Sequence, residues 1–169
     1  MQDKRSLSIQ QITLFGVLGA LTFGAKFVMS YLPNIEPVSL LVMVYAVVFG
    51  RKALYPIYIY VMLEILVYGF GTWNFNYVYI WTILFFAAYA MRQINDPLPW
   101  AILSGGFGLL FGLLCAPVDM FIGGISYAMT KWASGIIFDL LHCAGNFVIV
   151  LLLFVPMRKL ISKLYRKNP

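Results

Sequence analysis

Three polar side chains interrupt a long apolar run near the C-terminal end of the sequence. Asp139, His142 and Asn146 are three and four residues apart, so a helix places them on one face. Trp132 and Gly135 continue that face. Membrane helices usually keep such groups only where they face a packed interior or a wet cavity. This pattern could relay protons, seat a ligand or close a hydrogen-bond network between helices.

The positions along this face suggest a division of roles. Gly135 and Trp132 are closest to the start of the helix, and we expect them to contact a ligand. Asp139 and His142 follow at the bottom of the same pocket. Asn146 lies deeper, and we expect it to make hydrogen bonds between helices.

The composition predicts an integral membrane protein. The 169 residues are 62% hydrophobic and only 11% charged, with a mean hydropathy of +0.87. A soluble domain has roughly half apolar and a quarter charged residues. Long apolar runs exclude a lipid-facing β-barrel, in which apolar and polar residues alternate. The expected fold class is therefore all-α, and the length leaves no room for a soluble catalytic domain.

The apolar runs and their breaks predict six transmembrane helices in one substrate-binding domain, residues 1–169. The second helix is only 13 residues long, too short for a hydrocarbon core of about 30 Å. We therefore expect the preceding segment, LPNIEP, to dip into the membrane as a lid. We expect the last helix to continue past Pro156 into a basic tail. The predicted helices are residues 12–31, 38–50, 53–68, 77–91, 100–122 and 131–153.

The distribution of basic residues predicts the orientation. With six spans, both termini and the loops after the second and fourth helices lie on one side. The positive-inside rule makes that side the cytoplasm. It carries ten of the 12 lysines and arginines: Lys4, Arg5, Arg51, Lys52, Arg92, Arg158, Lys159, Lys163, Arg166 and Lys167.

Polar and aromatic residues gather at the opposite, outer side. Amides and aromatic rings around an apolar cavity suit an organic ligand with rings and hydrogen-bonding edges. The aromatic residues could instead form an interfacial belt, and Lys26, Glu64 and Asp119 could neutralise one another. With the last-helix face described above, the candidate substrate-binding residues are Asn34, Glu36, Trp73, Asn74, Asn76, Tyr77, Trp81 and Lys131.

Small residues recur every four positions along the first helix. Gly16, Ala20 and Gly24 form a ridge that allows close approach of another helix. The ridge could pack inside this protein or dock a partner.

Sequence patterns for catalysis are missing. The sequence contains no phosphate-binding GxxxxGK[ST] loop, no HExxH and no nucleophile elbow. No helix has paired carboxylates at a metal-binding spacing. We therefore predict neither catalytic residues nor a metal site, and expect that the protein is not an enzyme.

Several motifs, in their order along the chain, resemble the substrate-binding S components of energy-coupling factor (ECF) transporters. These motifs are PNIEPVSLLVMVYAVVFGRKALY, GFGTWNFNYVYIW and GIIFDLLHCAGNF, after a first helix with small-residue spacing. The resemblance implies six helices with a vitamin pocket near the outer surface of a prokaryotic cell membrane. It also implies partners: a transmembrane coupling subunit, docked through Gly16, Ala20 and Gly24, and two cytoplasmic ATPases.

The resemblance leaves the substrate open. The overall pattern is most similar to the branch that includes cobalamin transporters, while pantothenate, folate and riboflavin are alternatives. The vitamin is cargo, so no cofactor is expected. Two other functions fit the sequence: a membrane scaffold resembling the rod-shape protein MreD, and a proton-coupled carrier using Asp139 and His142.

Overall fold

The structure, a computed structural model, describes residues 7–31 and 36–167. These residues form helices and turns and contain no strand, which confirms the all-α prediction. Three stretches are long and apolar enough to cross a membrane: Ile9–Val28, Val38–Tyr68 and Pro97–Arg166. The helices are α1 (Ile9–Val28), α2 (Val38–Phe49), α3 (Leu54–Tyr68), α4 (Thr72–Ala90), α5 (Pro97–Leu109) and α6 (Phe111–Lys167).

Helix α2 lies at the centre of the molecule. Its sequence, VSLLVMVYAVVF, is apolar on every side, as is typical of a helix buried all round. Ten of its 12 residues are buried, and it packs against α1, α3, α4 and α6. The prediction of a short second helix is therefore confirmed. A 3₁₀ turn, Gly50–Ala53, connects it to α3.

Helices α1 and α3 run parallel and pack closely. A Cβ atom on Gly19 of α1 would lie 2.5 Å from the Ile59 side chain and 3.0 Å from the Pro56 carbonyl oxygen of α3. Only glycine permits this approach, because any larger residue would push the two backbones apart. Helix α2 runs antiparallel to both, and Thr22 of α1 hydrogen-bonds Tyr45 of α2 at 3.0 Å.

Helices α5 and α6 form a long hairpin. The Trp100 and Phe154 rings stack at 4.4 Å near its open end, and Lys131 binds Asp119 at 2.6 Å near its closed end. Helical geometry is interrupted inside α6 at Gly124, with φ +79° and ψ 175°. This conformation is essentially restricted to glycine. The chain reverses there, so residues 125–167 return along α5 and residues 111–123.

The structure corrects several predicted helix boundaries. The fourth helix begins at Thr72 rather than 77, because the Asn74 side chain caps it by accepting the Gly71 N–H at 2.6 Å. Gly124 alone replaces the predicted turn of residues 123–130, so the last helix starts earlier than 131. The predicted continuation of that helix past Pro156 into the basic tail is confirmed, and the helix ends at Lys167. The predicted fifth helix, residues 100–122, is divided at Leu110.

Hydrogen bonds and ring contacts place the basic loops and the tail of α6 at one end of the molecule. Lys52 donates to Gln11 of α1 at 2.9 Å, and Arg158 of α6 donates to the Asn95 side chain at 3.1 Å. The Tyr165 ring of α6 meets Phe49 of α2 at 4.9 Å. The described basic residues of the predicted cytoplasmic group therefore gather where α1 begins and α2 ends. The candidate site lies towards the other end.

Candidate ligand-binding site

An ion pair between α1 and α3 lies at one edge of the site. Lys26 Nζ donates to Glu64 Oε2 at 2.8 Å and to the Tyr77 hydroxyl of α4 at 2.9 Å. Glu64 is only 2% exposed, so its charge requires this partner. Asp119 does not join the pair as the sequence suggested, because it binds Lys131 in the α5–α6 hairpin. The two ion pairs are separate.

His142 projects from α6 into the interior. Its side chain is 3% exposed, and its ring meets Phe111 edge-on at 4.9 Å. Nε2 lies 3.9 Å from Glu36 Oε1, which is too long for a direct hydrogen bond. Neither ring nitrogen has a hydrogen-bond partner among the described residues. A neutral imidazole offers one donor and one acceptor, so His142 can bind one polar group of each kind.

Glu36 precedes α2 and lies outside the apolar stretches. Its side chain is 15% exposed, and burial raises the pKa of its carboxyl from 4.5 to about 7. The Lys26 ammonium opposes this shift, while the Glu64 carboxylate adds to it. Glu36 is therefore coupled electrostatically to the Lys26–Glu64 pair, lies 3.9 Å from His142, and titrates near neutral pH.

Asp139 caps the start of α6 from the opposite arm of the hairpin. Its Oδ1 accepts the Gly112 N–H at 3.1 Å. Gly112 follows the break at Leu110, where the first N–H groups of α6 have no helical acceptors. A carboxylate is favourable at that helix end. Oδ2 is buried and has no hydrogen-bond partner in the described part of the chain. Since the His142 nitrogens are also unbonded, no hydrogen bond connects Asp139 to His142.

Aromatic rings connect the two halves of the site. Trp81 of α4 is fully buried. Its ring centroid lies 5.6 Å from that of Tyr77 and 6.1 Å from that of Phe111, and the Phe111 ring in turn contacts His142. The Trp81 indole N–H has no acceptor among the described residues. A continuous aromatic wall therefore extends from the Lys26 ion pair to His142.

The predicted pair of amides is engaged in local structure. Asn74 caps α4 through its oxygen, although its Nδ2 has no partner within the described ranges. The oxygen of Asn76 accepts the Tyr79 hydroxyl at 2.9 Å, and that hydroxyl also lies within hydrogen-bond distance of the Leu114 carbonyl. Trp73 is 44% exposed and lies over Gly71.

The remaining predicted contacts lie along the hairpin. Lys131 is half exposed and paired with Asp119, and the Trp132 ring approaches Gly112 beside Asp139. A Cβ on Gly135 would have no neighbour within 4 Å, so the helix face is open there. Asn34, and with it most of the predicted LPNIEP lid, lies outside the described residues.

Asn146 belongs to the helix framework, as predicted. Its Nδ2 donates to Ser39 of α2 at 3.1 Å and to the Ser104 carbonyl of α5 at 3.4 Å. All three residues are buried. Sequence reasoning missed both serines. It also missed Phe111 and Gly112, because the break between α5 and α6 has no proline or other sequence signal at that point.

The small-residue ridge of α1 faces outward. A Cβ on Gly16 or Gly24 would meet nothing within 4 Å, and Ala20 is exposed. Gly19, on the neighbouring face, makes the internal contact with α3 instead. The ridge is therefore free to receive a helix from outside the described chain.

Comparison of the chain with protein-family models, with curated proteins and with solved structures found no match. The proposal for function therefore depends on the geometry of the site and on the resemblance of the motifs.

Proposed function

We propose that the chain is the vitamin-binding S component of an ECF-type importer, with cobalamin as the first candidate substrate. It spans the membrane six times with both termini in the cytoplasm. A coupling subunit and two separate ATPases deliver the vitamin. The gathering of basic loops at one end of the helices supports this orientation through the positive-inside rule.

The observation that carries the proposal is a set of buried polar atoms without partners. Glu64 Oε1, the Trp81 indole N–H, both His142 nitrogens and Asp139 Oδ2 all lack a hydrogen bond among the described residues. Buried polar atoms are nearly always hydrogen-bonded in native proteins. Those of Glu64, Trp81 and His142 lie along the aromatic wall, and Asp139 lies three residues before His142 on α6. A ring-containing ligand with several hydrogen-bonding edges would satisfy them together.

The outward ridge of α1 supports a separate docking surface. Gly16, Ala20 and Gly24 have open space in front of them, and small residues allow close helix contact inside a membrane. The ridge lies on another helix face from Lys26, so coupling and ligand binding are separable.

A binding assay tests the ligand site. The purified protein is titrated with a panel of vitamins, and we expect tight binding of cobalamin or another member. Trp81→Phe keeps an aromatic ring but removes the donor, which is expected to weaken binding about fivefold, since a net hydrogen bond contributes about 1 kcal/mol.

The matched control is Trp100→Phe. The Trp100 indole donates to the Ile94 carbonyl at the opposite end of the molecule, so the affinity is expected to remain unchanged. If the folded protein binds no member of the panel, the proposal is wrong.

An uptake assay tests the docking surface. Ala20→Leu is expected to abolish uptake and co-purification with the ATPases while the isolated subunit keeps its affinity. Leu21→Phe adds bulk at an exposed position beside the ridge and is the control. Uptake that persists after inactivation of the ATPases would support a self-contained carrier instead. Uptake loss together with loss of binding would mean that the ridge is needed for the fold.

A further inference from the structure

A basic cavity lies at the end of the molecule opposite the ligand site. Its volume is about 630 Å³, which is large enough for a phosphate and its substituents. The part of α6 beyond Pro156 forms most of the cavity, and the loop before α5 completes it. Its polar lining consists of Asn95, Arg158, Lys159, Ser162, Lys163 and Arg166.

The lining is strongly cationic. Arg158, Lys159, Lys163 and Arg166 carry four positive charges, and no carboxylate joins them among the described residues that line the cavity. Arg158 is held in place because its guanidinium donates to Asn95 Oδ1 at 3.1 Å. Guanidinium and ammonium groups with a hydroxyl, here from Ser162, are typical ligands for a phosphate.

An apolar strip continues from the cavity along α6. Val155 lines the cavity, and the exposed Leu152 and Val148 precede it at spacings of three and four residues on the same helix face. Lys159 and Lys163 extend this face in the other direction. The cavity therefore lies where the apolar surface of α6 changes to a basic one, as at the boundary between acyl chains and headgroups.

We propose that this cavity binds the phosphate of an anionic phospholipid, whose acyl chains lie along Val155, Leu152 and Val148. The lipid joins the tail of α6 to the loop before α5. The basic residues thus form a specific lipid site in addition to setting the orientation of the chain. This inference does not depend on the vitamin-binding proposal.

Native mass spectrometry of the full chain in mixed micelles tests the site. Phosphatidylglycerol and phosphatidylcholine of equal chain length are added at equal concentrations, and we expect preferential retention of phosphatidylglycerol. Each lysine near an anionic headgroup changes affinity about fivefold. Lys159→Gln/Lys163→Gln is therefore expected to lower phosphatidylglycerol affinity about 25-fold.

Arg51→Gln/Arg92→Gln is the matched control. It removes the same charge from exposed positions at the same end of the molecule, outside the cavity, and is expected to retain the lipid. Equal losses in both double variants, or no preference for phosphatidylglycerol, would overturn the proposal.

Glycerol 3-phosphate distinguishes a lipid from a soluble anion. It carries the phosphate without acyl chains, so it is expected to displace the lipid only at far higher concentration. Displacement at a concentration equal to that of the lipid would assign the cavity to a soluble phosphate compound and refute lipid binding.

Discussion

Substitution of one glycine in the α5–α6 hairpin tests the packing that positions His142. A Cβ on Gly108 would lie 2.8 Å from the His142 carbonyl carbon and oxygen and 2.9 Å from the Cys143 nitrogen. These are backbone atoms, so no side-chain rotation relieves the overlap. Gly106, two residues earlier in α5, is exposed, and a Cβ there meets nothing within 4 Å. Gly106→Ala is therefore the matched control for Gly108→Ala.

The difference between the two variants isolates the cost of overpacking. Both alanines gain about 0.5–1 kcal/mol of helix propensity over glycine, and this gain cancels in the comparison. Overpacking costs about 1–3 kcal/mol. Gly108→Ala is therefore expected to be about 1–3 kcal/mol less stable than Gly106→Ala, or about 2–12 °C lower in Tm for a chain of this size.

Thermal unfolding in one detergent at a fixed scan rate measures this difference. Relief of the overlap at Gly108 requires the His142 backbone to move. Gly108→Ala is therefore also expected to weaken ligand binding, whereas Gly106→Ala is not. Equal Tm values for the two variants would show that α5 does not approach α6 at Gly108, and would refute the hairpin register described here.

Three further predictions concern polar contacts between elements. Lys26→Met leaves the buried Glu64 carboxylate unpaired and is expected to lower the free energy of unfolding by about 3–5 kcal/mol, as measured by thermal unfolding. The double variant Lys26→Met/Glu64→Leu is expected to recover much of this loss. Unchanged stability of the single variant would contradict the prediction. Ser39→Ala removes one of the two acceptors of the Asn146 amide and is expected to lower stability by about 0.6 kcal/mol without changing ligand affinity. The folded protein keeps the Glu36 proton up to about pH 7 and the unfolded chain loses it near 4.5, so stability is expected to fall as pH rises through that interval. Glu36→Gln is expected to flatten this dependence, and parallel pH curves for the two proteins would disprove it.

Much of the helix arrangement follows from apolar patterning alone. The central position of α2 was implied by its short length and by apolar residues on every side. Helix ends were less predictable, because they depend on single hydrogen bonds. Ser8 accepts the Gln11 N–H and starts α1 earlier than predicted, and Asn74 does the same for α4. The same polar residue types occur in turns and as helix caps, so the sequence alone does not distinguish the two.

Prediction of the candidate site from the sequence was limited in a similar way. The spacing along α6 correctly predicted that Asn146 makes hydrogen bonds between helices, because depth along a helix can be counted. Partner choice was not predictable: Asp119 binds Lys131, which requires knowledge that the chain reverses at a single glycine. Likewise, the spacing of small residues on α1 did not reveal which glycine packs inside, because that depends on how the helix is rotated.

The reversal at Gly124 has a consequence for insertion into the bilayer. From Pro97 to Lys131 the sequence contains only two charged residues, Asp119 and Lys131, and these bind each other at 2.6 Å. The tip itself is apolar, with Phe121 93% exposed and Ile125 67% exposed. The part of the hairpin that includes the tip, from Pro97 to Lys131, therefore carries no net charge. The tip can remain embedded among the lipids of the far leaflet instead of projecting into water.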